Sequence, residues 1–140
     1  GRAAELAPEY EKRDVKLIAR SCDDVLSHKN WTEDIKANAC LKDVGFPIPI
    51  IADEKREVAV QLGMIDPYEN DKDGLLLTER AGFIVVPDKR LILSMLYPAT
   101  TCRNFDEILR VFDSLQLTRY QNAATPDDWK LGEDCMVLPN

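Results

Sequence analysis

Two short apolar runs joined by a tight turn most strongly constrain the fold of this chain. The runs are Ala81–Val86 and Leu91–Leu96, and residues 87–90 (PDKR) separate them. Proline followed by aspartate favours a turn, so the segment predicts an antiparallel β-hairpin. Further along, Asn104 and Glu107 stand at capping-box spacing and predict the start of a long amphipathic helix. The apolar face of that helix is predicted to contain Phe105, Ile108, Leu109, Phe112 and Leu115.

The first part of the chain predicts a helix, a strand and a second helix. Gly1–Arg13 has helical spacing, and Pro8 inside it is expected to kink the helix. Val15–Ser21 is apolar and rich in β-forming residues, which indicates a buried strand. Asp23 or Asp24 then caps the next helix. The apolar face of that helix is predicted to contain Val25, His28, Trp31 or Thr32, and Ile35.

The middle of the chain adds shorter elements. Phe46–Ile51 contains two prolines, which cannot donate to a β-ladder, so it predicts an edge strand or an extended loop. Glu54–Leu62 predicts a short helix, and Gly63 supplies its left-handed end. Asp66–Gly74 is polar and acidic and is predicted to be a loop, and the pattern fades into a loop-rich tail after Thr118. The alternation of strands and helices predicts an α/β fold.

Composition excludes several classes of function. The 140 residues suit one domain, and a formal charge of −7 argues against binding to nucleic acid, which calls for a basic face. Widely spaced cysteines without a C-x-x-C, together with a single histidine, argue against a zinc site. A chain that can build a core unaided also argues against a disulfide scaffold, and no cofactor is expected. We therefore expect reduced thiols in a cytoplasmic protein. The four cysteines are Cys22, Cys40, Cys102 and Cys135.

Two longer segments carry a family resemblance. Thr78–Arg110 (TERAGFIVVPDKRLILSMLYPATTCRNFDEILR) and the tail ATPDDWKLGEDCMVLP resemble the single-cysteine (1-Cys, type 6) peroxiredoxins, and the resemblance extends over Gly1–Pro139. It implies a thioredoxin-like domain at residues 1–118 and the start of the family's C-terminal extension at residues 119–140. It also implies a thiol-dependent peroxidase that reduces hydrogen peroxide and organic hydroperoxides.

The resemblance implies that the chain is a fragment. The family's attacking cysteine lies in a P-x-x-x-T-x-x-C motif directly upstream of the position that matches Gly1, and this sequence contains no such motif. The thioredoxin-like fold is then expected to be incomplete at its N-terminus, without its first core strand. Buried unpaired backbone groups cost about 1–3 kcal/mol each, so we expect the chain alone to aggregate or to pair its strands differently. The alternative is a truncated, non-catalytic protein that binds a full-length subunit.

Two arginines are the candidate catalytic residues. Arg80, in the motif Thr78-Glu79-Arg80, matches the family's active-site arginine, and Arg103 matches a second arginine that follows YPATT. A guanidinium favours a neighbouring thiolate and can donate to both oxygens of a peroxide. From the residues alone, Arg80 is as readily explained without catalysis, as an exposed strand-end residue paired with an acid. Arg103 has the alternative of a solvent-facing residue at a helix start.

The four cysteines and four further residues each allow more than one interpretation or a structural role. Cys22, between a strand and a helix cap, is either a nucleophile or a packing residue. Cys40 matches a family cysteine that does not attack peroxide, whereas Cys102, where the family usually has glycine, and Cys135 are interpreted as lineage substitutions. His28 is expected to pack in the core or near a subunit contact, and Trp31 and Trp129 are expected in the core. Asp88 matches an aspartate proposed for phospholipase activity in some members, but is first a turn residue.

The resemblance also implies partners. An external thiol, glutathione, is the expected reductant, with help from a glutathione transferase. A homodimer is expected, with the hairpin and the YPATT segment at its interface. Contact with phospholipid is implied for the whole protein.

Overall fold

The computed structural model describes residues 1–38, 45–70, 72 and 74–139. It contains both helices and strands, which alternate from β1 to β3, in agreement with the predicted α/β class. The helices are α1 (Arg2–Glu5), α2 (Ala7–Glu11), α3 (Val25–Asn38), α4 (Glu57–Gln61) and α5 (Phe105–Gln121). The strands are β1 (Ala19–Ser21), β2 (Ile50–Ala52), β3 (Ile65–Asn70), β4 (Leu76–Thr78), β5 (Arg80–Val85), β6 (Leu91–Tyr97), β7 (Ala123–Ala124) and β8 (Met136–Val137). Cys40 lies outside the described residues.

The chain divides into two compact units, which we describe separately. The first unit contains Gly1–Ala19, Trp31–Pro49 and Asn104–Asn140, and the second contains Arg20–Asn30 and Ile50–Arg103. In the described residues the strands form four two-stranded sheets, which pair β1 with β2, β3 with β4, β5 with β6, and β7 with β8.

The first unit is held together by aromatic and aliphatic packing. The ring of the buried Tyr10 meets Phe112 of α5 edge to face, with ring centroids 5.8 Å apart. A separate cluster of buried residues consists of Ala4, Ile35 and Ile48. Trp129 is buried as predicted, with its Nε1 donating to the Glu133 carbonyl. Trp31 is 54% exposed, so its predicted place in the core is wrong.

A largely buried ion pair fixes the start of the chain against α5. Arg13 donates from Nε and Nη2 to the two carboxylate oxygens of Asp113, at 2.7 and 3.0 Å. Gln116 on the same helix donates to the Arg13 carbonyl. The hydrogen bond and the negative charge of Asp113 raise the pKa of Arg13 despite its burial. The two-point geometry fixes the orientation of the segment as well as its position.

The N-terminal helix differs from the single kinked helix that was expected. Two short helices, α1 and α2, meet at Leu6, and Pro8 lies in the first turn of α2. Proline is tolerated there because the first N–H groups of a helix have no partner within it.

In the second unit the predicted hairpin is confirmed. β5 and β6 pair antiparallel in a register that runs from Arg80 opposite Tyr97 to Val85 opposite Leu91. The helix α4 ends as predicted, because Gly63 adopts a φ of +64°, a conformation that L side chains rarely adopt.

The predicted loop at Asp66–Gly74 is wrong over most of its length. Ile65–Asn70 forms β3 and pairs antiparallel with β4. Its polar sequence fits a strand at the surface, where Tyr68 is 90% exposed, and Pro67 is tolerated in a strand at a sheet edge. Backbone pairing, rather than an apolar pattern, defines this strand.

Three other elements begin or end at residues that differ from the predicted ones. The strand expected at Val15–Ser21 is confined to Ala19–Ser21. The helix expected at Glu54–Leu62 begins only at Glu57, because Arg56 before it has a left-handed backbone. The last helix continues past Thr118 to Gln121.

Replacing Asn104 tests the predicted helix start. Its side-chain oxygen accepts from the backbone N–H groups of Asp106 and Glu107, which satisfies two donors of the first turn of α5. We expect Asn104→Ala to lower the free energy of unfolding by about 1 kcal/mol, and Asn104→Ser to retain most of it. Urea unfolding measures both, and equal losses in the two variants would contradict the cap.

Candidate functional site

The first candidate arginine begins the hairpin strand β5. Arg80 is exposed, and its Nε donates to the Ala99 carbonyl at 3.1 Å. Because Arg80 pairs with Tyr97 in the hairpin, the segment that follows β6 starts directly beside it. No ion pair of Arg80 with an acid occurs among the described residues.

The second candidate arginine reaches back to the same strand. Arg103 is half-buried, and its Nη1 donates to the Ala81 carbonyl at 3.1 Å. The two arginines therefore make reciprocal contacts: Arg80 on the strand holds the loop, and Arg103 on the loop holds the strand. The solvent-facing arrangement of Arg103 is not the one observed.

The two guanidinium groups are close enough to affect each other. Burial lowers the pKa of Arg103, and the positive charge of Arg80 lowers it further, while Cys102 opposes both effects. Arginine stays charged at neutral pH, so the strand and the loop present two cations together. An anion placed beside them is stabilised, because its charge relieves their mutual repulsion.

Cys102 does not need the conformational freedom of glycine. Its backbone lies outside the left-handed region, so the substitution causes no strain there. The thiol is exposed, as is that of Cys135.

Asp88 and His28 are placed differently from the arginine pair. Asp88 lies in the hairpin turn, at the opposite end of β5 from Arg80, and accepts from the backbone and side chain of Arg90. Six residues of strand separate the two ends, a span on the order of 20 Å. His28 is buried in α3, as expected.

Sequence reasoning missed a second charged cluster in this unit. Arg20 of β1 contacts both Asp53, which follows β2, and Cys22. Asp53 is buried and also accepts from the backbone N–H groups of Val58 and Ala59. The sequence held one indication of this cluster: Arg20 lies in the mainly apolar run Val15–Ser21, and an arginine that is buried there needs a partner.

No helix of the described residues is long and apolar enough to cross a membrane. Nor do the side chains in the described part of the chain form a group of three or more histidines, cysteines or acids suited to a metal ion.

Comparison with known proteins identifies the family. A family model described as "AhpC/TSA family" matches residues 1–94. The chain belongs to the AhpC/TSA family. Within it, peroxiredoxin-6 of Gallus gallus is 61% identical over 140 residues, an alignment that covers 99% of this chain and 62% of that protein.

Solved structures of AhpC/TSA relatives also resemble the fold of this chain. The crystal structure of a cysteine-to-serine mutant of peroxiredoxin 6 of Arenicola marina matches with a TM-score of 0.93 and 57% identity, covering 99% of this chain and 63% of that one. The mitochondrial 1-Cys peroxiredoxin of yeast matches with a TM-score of 0.85 and 44% identity, covering 96% and 63%. The 1-Cys peroxiredoxin resemblance and the thioredoxin-like fold are confirmed. The chain spans 62–63% of the first relatives it matches.

The hydrogen bonds that the Asp53 carboxylate accepts predict a pH dependence of stability. Burial alone would raise the pKa of Asp53, but the N–H of Ala59, the guanidinium of Arg20 and the N–H of Val58 lower it overall. A lowered pKa means that the ionised carboxylate stabilises the folded state above its unfolded pKa of about 3.9, and that this stabilisation disappears as the pH falls through the folded value.

Urea unfolding of the wild type and of Asp53→Asn across a pH series tests this. The quantity to follow is the difference between their free energies of unfolding. The difference should be constant between about pH 7 and 5 and should shrink below about pH 4. A difference that stays constant down to about pH 2 would contradict the assignment.

Proposed function

We propose that the protein is a thiol-dependent peroxidase that reduces hydrogen peroxide and organic hydroperoxides and so serves redox homeostasis. The observation that carries the proposal is the reciprocal arrangement of Arg80 and Arg103. Membership of the AhpC/TSA family and the similarity to 1-Cys peroxiredoxins support it.

The two arginines would act on the charge that develops during reduction. A cysteine thiolate attacks one peroxide oxygen, the O–O bond breaks, and the second oxygen leaves with a negative charge before it takes up a proton. Arg80 would donate to the peroxide and to the thiolate. Arg103 would keep the loop against the strand and add a second positive charge. Donors that are already in position stabilise the transition state without reorganisation.

We propose that the attacking cysteine belongs to the P-x-x-x-T-x-x-C motif that the resemblance places before Gly1. The division into a thioredoxin-like domain at residues 1–118 and the start of an extension at 119–140 belongs to the same proposal. An external thiol would then reduce the sulfenic acid, with glutathione and a glutathione transferase as the expected system. The yeast relative is resolved via glutathione/thioredoxin systems, so both reductants belong in the assay.

We further propose a cytoplasmic homodimer with the hairpin and the YPATT segment at its interface. The strand β6, an edge strand of the hairpin, exposes apolar side chains, among them those of Leu91 and Leu96. Free thiols at Cys22, Cys102 and Cys135 suit a reducing compartment. The phospholipid contact stays a prediction.

The intact mass of the natural protein, captured with an antibody to this segment, tests where the nucleophile lies. A mass well above 15.9 kDa, with a cysteine in peptides that precede Gly1, is the expected result. A mass equal to that of this chain would overturn the peroxidase proposal in favour of a non-catalytic binding partner.

Arginine substitutions test the site directly in the whole protein. We expect Arg80→Met and Arg103→Met each to lower kcat/KM for peroxide by about 100-fold or more, because each removes a cation that stabilises the developing charge. Arg90→Met, which removes an exposed arginine paired with Asp88 in the hairpin turn, is the matched control and should stay within about twofold. Losses of similar size in all three variants would remove the assignment of Arg80 and Arg103. Glutathione, thioredoxin and dithiothreitol are compared as reductants.

A charge on the hairpin tests the interface. Leu96→Asp should shift the protein from dimer to monomer in analytical ultracentrifugation, because a carboxylate cannot be buried there without a partner. Val137→Asp, at an 84% exposed position of β8, is the control and should leave the mass unchanged. An unchanged dimer in Leu96→Asp would exclude this surface.

A further inference from the structure

We propose that Arg20, Cys22 and Asp53 form a peroxide-sensitive switch, in which Cys22 is oxidised and its added oxygen competes with Asp53 for the guanidinium of Arg20. The residues are separate from Arg80 and Arg103, so the switch does not depend on the proposed catalytic site. It needs only peroxide as the oxidant.

The two charged side chains of the cluster are largely buried, and Cys22 is half-buried. The side chain of Arg20 is 10% exposed and that of Asp53 is 5% exposed. Arg20 donates from Nε to Asp53 Oδ2 at 2.8 Å. Its Nη2 donates both to the same carboxylate oxygen and to Cys22 Sγ, the latter at 3.1 Å. One nitrogen is therefore shared between a carboxylate and a sulfur.

Asp53 connects this shared donor to the helix α4. Its carboxylate accepts from the N–H of Val58 at 3.1 Å and from that of Ala59 at 2.9 Å. Its own N–H donates to the Ser21 carbonyl, which ties it to the end of β1. A change in the position of the Asp53 carboxylate therefore affects the hydrogen bonds of two backbone N–H groups at the start of α4.

The oxidation step is balanced with peroxide alone. The sulfur of Cys22 attacks one peroxide oxygen, an S–O bond forms and the O–O bond breaks. The second oxygen leaves as hydroxide and takes up the thiol proton to become water. The sulfur loses two electrons and becomes a sulfenic acid, and the peroxide is reduced.

The product competes for the same donor. The new oxygen extends from Sγ, to which Nη2 of Arg20 already donates, and accepts a stronger hydrogen bond than sulfur does. When it is ionised, two anions share one buried guanidinium, and their repulsion weakens the hold on Asp53. The hydrogen bonds from Val58 and Ala59 are then expected to open more often.

The other described thiols provide internal controls. Cys102 and Cys135 are more exposed than Cys22, so accessibility alone predicts that they react first. Among the hydrogen bonds of the described residues, neither accepts from a guanidinium as Cys22 does. Because Cys102 also interacts with the charge of Arg103, Cys135 is the control thiol. The order of reaction therefore separates an effect of the cluster from simple exposure.

The first experiment measures this order in the whole protein. The protein is treated with hydrogen peroxide in the presence of dimedone, and labelling of each cysteine is followed by peptide mass spectrometry. We expect Cys22 to be labelled at least about tenfold faster than Cys135, and Arg20→Lys to remove most of this advantage. Labelling of Cys22 at or below the rate of Cys135 would overturn the proposal.

The second experiment measures the consequence for α4. Amide hydrogen exchange is compared before and after peroxide treatment in the wild type and in Cys22→Ser. The amides of Val58 and Ala59 should exchange several-fold faster only in the oxidised wild type. Unchanged exchange in a protein labelled at Cys22, or an equal change in Cys22→Ser, would overturn the switch.

An Arg80→Met variant separates this result from that of the peroxidase. Loss of peroxide turnover with unchanged labelling of Cys22 supports two independent sites. Loss of Cys22 labelling in Arg80→Met would show that the oxidation depends on the proposed catalytic residue and would overturn an independent switch.

Discussion

The pairing of Arg80 with Tyr97 at the open end of the β5–β6 hairpin is the constraint on which the candidate site depends. It makes the chain leave β6 directly beside the start of β5, so that the Ala99 carbonyl lies within reach of Arg80. The return contact from Arg103 to Ala81 closes the arrangement. A shift of one residue in the register would turn every side chain of the strand to the other face and separate the two guanidinium groups. The geometry of the candidate site is thus a consequence of backbone hydrogen bonding in one hairpin.

Largely buried ion pairs have a comparable role in each of the two units. Arg13 and Asp113 join the start of the chain to α5 in one unit, and Arg20 and Asp53 join β1 to the region before α4 in the other. Removing such charges from water is costly, and the cost is offset only when geometry is good and the remaining acceptors are satisfied. Both carboxylates meet that requirement with two-point contact or additional backbone donors. These ion pairs fix the orientation and the position of the segments that they join, where the short elements bury little apolar surface.

Much of the fold was predictable because local rules act over a few residues. The hairpin turn, the cap at Asn104 and the left-handed end at Gly63 all follow from turn and cap chemistry, and all are observed. The strand at Ile65–Asn70 was missed because its residues are polar, and only pairing with β4 makes it a strand. Trp31 was placed in the core because helical spacing shows which residues share a face, but not whether that face is covered.

The sequence by itself determined the family, the α/β class, and the identity of Arg80 and Arg103 as the residues to examine. Only the tertiary structure decided that these arginines contact each other's segments, and that Arg20 joins Cys22 to Asp53. The physical reason is the difference in range. Turns, helix caps and hydrophobic periodicity depend on residues that are close together in the chain, so they can be recognised in the sequence. Contacts between Arg20 and Asp53 depend on which strands pair and in which register, and that is set by the packing of the folded chain.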